Sequence, residues 1–197
     1  DDETPLEETF EALAILQKDS KIRYIGVSNF AAWQVMKAQA VAEKLGTRID
    51  VIQPMYNLVK RQAEVEIIPM CIDQDIGIVP YSPLGGGLLT GKYARGETGR
   101  LTEDDRYAAR YSQSWMHDAA TTFSALADTL NVAPSTLAVA WAAHHPSRPN
   151  PIVSARNLEQ LIPSLVAMNY DIDLKLYAKI AALTPTPAPA TDRLEEA

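Results

Sequence analysis

Cysteine occurs once in these 197 residues, so no internal disulfide can form. That excludes a disulfide-stapled secreted scaffold and favours a reducing compartment, with the cytoplasm as the expected location. The single thiol, Cys71, lies in an apolar helical pattern, where packing is expected rather than reactivity. No apolar run approaches the ~20 residues a membrane-spanning helix requires. No secretory signal pattern opens the chain either, so no membrane partner is expected. Positive charge is scarce: 18 Lys and Arg stand against 25 Asp and Glu, a net charge of −7. Broad nucleic-acid binding is thereby disfavoured, although a local basic pocket for a phosphate is not. Histidine appears at positions 117, 144 and 145, without metal-ligand spacing to Cys, Asp or Glu. No metal site is expected, and His144 and His145 read as cations at a helix C-terminus. Neither a G-x-G-x-x-G fingerprint nor a Walker loop occurs.

With 47% apolar and 22% charged residues, the composition is that of an ordinary globular protein. The chain opens without Met on Asp1-Asp2-Glu3 and runs straight into a helix start, as a segment entered mid-domain would. Thr4-Pro5-Leu6-Glu7 predicts that start, with Pro5 at the first helical position. β-type runs follow at Ile22–Val27, Asp50–Tyr56, Ile76–Tyr81 and Pro151–Ala155. Helical patterns lie between them, one ending at Leu45-Gly46, another around Glu64–Gln74 with Pro69 kinking it or marking its first turn. Gly85–Ser114 breaks the regularity and reads as a long irregular loop, a feature usually functional or mobile. Helices then resume from Met116, from Pro134, from an Asn157/Gln160 start and from Asp173. Strands alternating with helices predict an α/β fold with a parallel sheet and right-handed crossovers.

Each β-type run ends in polar residues just before a helical pattern, the junction where parallel α/β proteins hold ligands. Ser28 and Asn29 there serve equally well as a helix cap or as partners for an amide or phosphate. Gln53, polar in an inward run, needs a partner. Tyr81 suits either core packing or a ring lying flat under a planar ligand. Gly85-Gly86-Gly87 permits close backbone approach but is also what a flexible loop looks like. Arg156, beside a helix start, is an ordinary surface charge or a fork for a phosphate.

The segments KIRYIGVSNF (Lys21–Phe30), QPMYN (Gln53–Asn57), YSPLGGGLLTGKY (Tyr81–Tyr93) and IVSARNLEQ (Ile152–Gln160) together resemble the aldo-keto reductase family. The branch is the one with potassium-channel β-subunit-like proteins and bacterial aldehyde and sugar reductases. The resemblance spans Thr4–Leu183 and implies a (β/α)8 TIM barrel, of which this chain would cover about the last four β/α units. Residues 1–183 would then be the C-terminal half of a single barrel domain and residues 184–197 a Pro-rich, extended or disordered tail. The resemblance also implies NADP as cofactor and a small-molecule carbonyl as substrate. Under it, Ser28, Asn29 and Gln53 hold the nicotinamide carboxamide and Tyr81 stacks on its ring. Ser82, Leu84, Gly86 and Lys92 line the pyrophosphate, while Ser154, Arg156 and Gln160 surround the adenosine 2′-phosphate and adenine.

One departure matters. The family's catalytic Asp, Tyr, Lys and His fall on the first four strands and their loops, and no counterpart is expected in this chain. Incomplete coverage of a complete carbonyl reductase is the favoured account. A truncated relative, or a non-catalytic NADP-binding regulatory subunit or redox sensor, is the alternative.

Overall fold

The computed structural model describes residues 3–191. It is an α/β structure, rich in helix, around a small parallel sheet. Helix α1 (Leu6–Lys18) leads to β1 (Gly26–Ser28), α2 (Ala32–Lys44) and β2 (Val51–Gln53). Helix α3 (Ile67–Gln74) and β3 (Gly77–Ile78) come next, then a chain of short turns with α4 (Arg100–Glu103) and α5 (Asp105–Arg110). Four longer helices complete it: α6 (Ser114–Thr129), α7 (Pro134–Ala143), α8 (Leu158–Val166) and α9 (Leu174–Ala181). The strands lie in the order β1-β2-β3, all parallel, with Gly26 opposite Val51 and Val51 opposite Gly77. Phe10, Ile25, Ile52, Leu89, Phe123 and Leu137 are fully buried between sheet and helices. No helix among the described residues is long and apolar enough to cross a membrane.

The strands are shorter than the sequence predicts, and prolines account for much of the difference. Val79 donates its N–H to the Ile52 carbonyl at 3.0 Å, continuing the β2–β3 ladder. The return bond would come from residue 54, which is Pro54 and has no N–H. The expected fourth strand, Pro151–Ala155, is likewise not a regular strand. Its neighbourhood still follows β3: Asn150 donates to the Ile78 carbonyl at 2.9 Å and Ile152 to that of Pro80 at 2.8 Å. The reciprocal donor is again missing, because residue 80 is proline. At β1 pairing begins late, at Gly26 rather than Ile22, since the Asp50 carboxylate takes the Ile25 N–H at 2.8 Å.

Helix boundaries follow the sequence more closely. Pro5 stands one position earlier than expected, as the N-cap of α1. Pro69 falls in the first turn of α3, so it marks that helix's start and leaves it unkinked. Pro134 opens α7, Asn157 caps α8 by accepting from the Gln160 N–H, and Asp173 caps α9 through Leu176 N–H. The expected long irregular loop over Gly85–Ser114 is instead a succession of short helical turns. Residues 192–197 of the expected tail, with Asp1 and Asp2, lie outside the described residues. Its first residue, Thr184, is buried and accepts a hydrogen bond from Arg61 at 3.3 Å. Cys71 is buried, and burial pushes its thiol up to about 11, in keeping with a packing role.

Behind the sheet, Trp141 of α7 stacks on Tyr56 and on Tyr177, each at 5.4 Å between ring centroids. Arg61 grips Glu64 through two bonds, at 3.0 and 2.9 Å, and donates to the Ala181 carbonyl at 2.9 Å. Tyr56 donates to Glu64 at 2.7 Å. His145 packs edge-on against Tyr56 and Tyr177. This corrects its sequence-based assignment as a helix-end cation, since burial lowers its pKa from the ordinary 6.5 and so disfavours the charged ring. His144 does cap α7, with Nδ1 2.8 Å from the Ala140 carbonyl. An imidazole harder to protonate folded than unfolded contributes stability above pH 6.5 that is lost as pH falls below it. Urea midpoints measured from pH 7.5 down to 5 should therefore decline, and His145→Phe should flatten that decline. An unchanged slope in the variant would assign the pH dependence to other groups.

Candidate functional site

A cleft of about 790 Å³ opens where β3 and the Ile152–Arg156 segment run out. One wall carries Tyr81, Ser82, Leu84 and Gly86, which follow β3; the other carries Ser154, Arg156 and Gln160; Lys92 borders it as well. Most of the expected site residues thus converge on one concavity, although they come from segments far apart in sequence. Ser28, Asn29 and Gln53 are not on its lining but are joined to it by hydrogen bonds. Tyr81 donates its hydroxyl to Asn29 Oδ1 at 2.8 Å, Asn29 Nδ2 donates to Ser28 Oγ at 3.2 Å, and Ser28 Oγ donates to the Gln53 carbonyl at 2.9 Å. Gln53 therefore enters this relay through its backbone.

The relay settles one open alternative. Ser28 and Asn29 do not cap α2; Ala31 is the N-cap residue and gives its N–H to the Gln34 side chain at 2.8 Å. Asn29 instead adopts left-handed backbone with φ 58°, a conformation Asn tolerates better than most residues. Ser82 is left-handed too, with φ 59°. Its carbonyl is held at 2.9 Å by Asn57 Nδ2, which also donates to the Tyr111 hydroxyl at 3.3 Å. Asn57 is fully buried and its Oδ1 accepts the Val59 N–H at 3.1 Å, so its amide is fixed at both ends. Strained backbone held by a buried amide is a common feature of ligand sites.

The glycine run is equally constrained. Gly86 and Gly87 have φ 65° and 95°. A Cβ on Gly86 would come within 2.9 Å of both Leu101 and Tyr107. One on Gly87 would meet Lys92 Cε at the same distance. Bare backbone is thus required on this wall, where the sequence left a merely flexible loop open. Tyr93 locks the turn in place by donating to the Gly86 carbonyl at 3.0 Å and accepting from Leu101 N–H at 3.1 Å.

Positive charge gathers around the opening, in a chain that is acidic as a whole. Lys92 donates to the Thr98 carbonyl at 3.1 Å and lies 4.8 Å above the Tyr93 ring. Arg156 reaches Glu103 at 3.2 Å, and its backbone N–H is accepted by Gln160 Oε1 at 3.2 Å. Arg95 and Arg100 also line the cleft, and neither was singled out from the sequence. Their signal was available: both closely follow the glycine run, inside a stretch taken for irregular loop. Arg95 pairs with Glu97 at 2.8 Å, while Arg100 lies over the Tyr107 ring and donates to its hydroxyl at 3.3 Å. The arrangement suits an elongated anionic ligand with a polar amide end near Tyr81 and Asn29. Among the described residues, no group of three or more His, Cys, Asp or Glu converges as metal ligands would.

Comparison with known proteins shows the family. A sequence model of the aldo/keto reductase family matches residues 1–185. An uncharacterized oxidoreductase, YrpG, of Bacillus subtilis (strain 168) is 34% identical over 97% of this chain and 58% of its own length. Versiconal hemiacetal acetate reductase of Aspergillus parasiticus is 34% identical over 82% of the chain and 48% of its own. A probable voltage-gated potassium channel subunit beta of Oryza sativa subsp. japonica is 31% identical over 84% and 53% respectively. The chain spans about half the length of the curated relatives it matches.

Proposed function

Because this chain belongs to the aldo/keto reductase family, we propose that it forms the cofactor-holding half of an NADP-dependent oxidoreductase that reduces aldehydes, ketones or sugars. The observation that carries the proposal is the basic cleft, floored by left-handed glycines and linked through Tyr81 to the Asn29–Ser28–Gln53 relay. Residues 1–183 would be about the last four units of a (β/α)8 barrel, with residues 184–197 a tail. Two features support that extent. β1 is an edge strand of the sheet, and α8 presents Leu158, Ile162, Leu165 and Val166 to solvent, an apolar strip of the kind that marks an interface.

The residues present fit the cofactor by their chemistry. Asn29 would face the carboxamide, and Tyr81 would lie against the ring with its hydroxyl already held. The bare backbone of Gly86 and the Lys92 ammonium suit the pyrophosphate. Arg156, Ser154 and Gln160 suit the 2′-phosphate and adenine. When bound, the reduced nicotinamide would supply the hydride. This chain's residues orient it and exclude water, and the acid that protonates the carbonyl oxygen would come from outside the chain. A second reading, a non-catalytic NADP-binding regulatory subunit or redox sensor, draws support from the relative named as a channel subunit.

The test lies in Arg156. A charge-assisted hydrogen bond contributes roughly 1.5–3 kcal/mol, so Arg156→Ala should weaken NADPH binding by about one to two decades. NADH, which lacks the phosphate, should bind as before. Fluorescence titration with both cofactors decides the matter; equal weakening would show that Arg156 supports the fold or the adenine.

A further inference from the structure

Arg156 is already paired, and its partner comes from α4, the turn whose Arg100 lines the cleft. Glu103 Oε2 stands 3.2 Å from Arg156 Nη2, across 53 residues of sequence. The other cations at the opening are engaged within their own segment: Lys92 by the Thr98 carbonyl, Arg95 by Glu97 and Arg100 by Tyr107. Only the Glu103–Arg156 pair, among these, joins two segments distant in sequence. Glu103 ends the single turn of α4, which Tyr93 ties back to the glycine turn at Gly86. The backbone turn that carries the carboxylate is consequently anchored to the glycine turn that would cradle the ligand's phosphates. Both side chains are substantially exposed, 68% for Arg156 and 47% for Glu103, so the pair can open without unpacking the core.

From this geometry we infer that Glu103 is a built-in competitor of the ligand anion for Arg156, setting how strongly the cleft prefers nucleotides that carry a 2′-phosphate. The inference rests on the assignment of Arg156 to the 2′-phosphate. A nucleotide carrying that phosphate must displace the carboxylate from the guanidinium and then sit beside it. A nucleotide without it leaves the pair closed. Glu103 thereby weakens one class of ligand and ignores the other, so it lowers the discrimination that Arg156 provides.

The experiment compares adenosine 2′,5′-bisphosphate with adenosine 5′-monophosphate by calorimetric titration of the full-length protein at low salt. Exposed ion pairs contribute about 0.2–1 kcal/mol, so Glu103→Gln should tighten the bisphosphate by about 1.4- to fivefold. The monophosphate should not change. Glu103→Lys should tighten the bisphosphate further, and salt near 1 M should erase most of either gain, because the Debye length there is about 3 Å. In an Arg156→Ala background the Glu103→Gln gain should vanish. Unchanged bisphosphate affinity in both Glu103 variants, or equal gains for the two nucleotides, would overturn the inference alone. A wild-type protein that binds both nucleotides equally would overturn the 2′-phosphate assignment and this inference with it.

Discussion

Mixed with NADPH and a reactive aldehyde such as 4-nitrobenzaldehyde, the 197-residue chain by itself is expected to give no turnover approaching that of an intact family member. The shortfall should be at least the about 10²–10⁴-fold that a placed general acid contributes. Every tyrosine hydroxyl at the cleft has another engagement. That of Tyr81 is donated to Asn29, and that of Tyr93 to the Gly86 carbonyl. Tyr107 accepts from Arg100 and lies against Gly86 at the phosphate end of the cleft. Lys92 comes close to a tyrosine, but it lies over the face of the Tyr93 ring rather than at the hydroxyl it would have to tune. Among the described residues of the cleft, then, no acid is poised for a carbonyl oxygen. A single-turnover assay following NADPH absorbance checks this. Rates matching an intact reductase would refute the half-site reading, whereas tight NADPH binding without turnover would agree with it.

How much of this site could be read from sequence depended on whether the signal was local. Strand ends followed by Ser-Asn, Tyr-Ser-Pro and Ser-Ala-Arg-Asn are local patterns, and the structure brings them to one cleft or hydrogen-bonds them to it. Helix starts at Pro134, Asn157 and Asp173 are equally local and stand where expected. Strand lengths were misjudged because β-propensity says nothing about which N–H a neighbour needs. Pro54 and Pro80 each remove a return bond, which becomes visible only once the register is known. The role of Ser28 was ambiguous for a similar reason. A hydroxyl before a helix can cap it, and only the approach of the Gln53 carbonyl from the next strand draws it away. For Arg95 and Arg100 the one local cue is that they follow the glycine run, and the stretch holding them and Glu103 has no periodicity. Its order comes from Tyr93 and the glycine turn, contacts between residues of one loop that no pattern rule detects.

Trp141→Ala is expected to be the most destabilising single change behind the cleft. The indole is fully buried and stacked between Tyr56 and Tyr177, with interplanar angles of 26° and 8°. Arg61, itself fastened to Glu64 and to the end of α9, lies 5.9 Å from the ring centre. Truncating a buried Trp to Ala commonly costs about 3–5 kcal/mol, a large part of the roughly 5–15 kcal/mol that holds a typical domain together. One feature pulls the other way: Trp141 Nε1 is buried without a hydrogen-bond partner among the described residues. Losing an unsatisfied donor returns about 1–3 kcal/mol, which places the expected net cost at about 2 kcal/mol. Trp141→Phe separates the two effects, because it keeps an aromatic ring between the tyrosines while removing the orphaned N–H. Its cost should therefore be well under half that of the alanine variant. Denaturant unfolding of both variants measures this directly. A Trp141→Ala cost below about 1 kcal/mol would mean that the stack is replaceable packing. The anchoring of α9 would then rest more on Arg61, which donates to the Ala181 carbonyl while paired with Glu64.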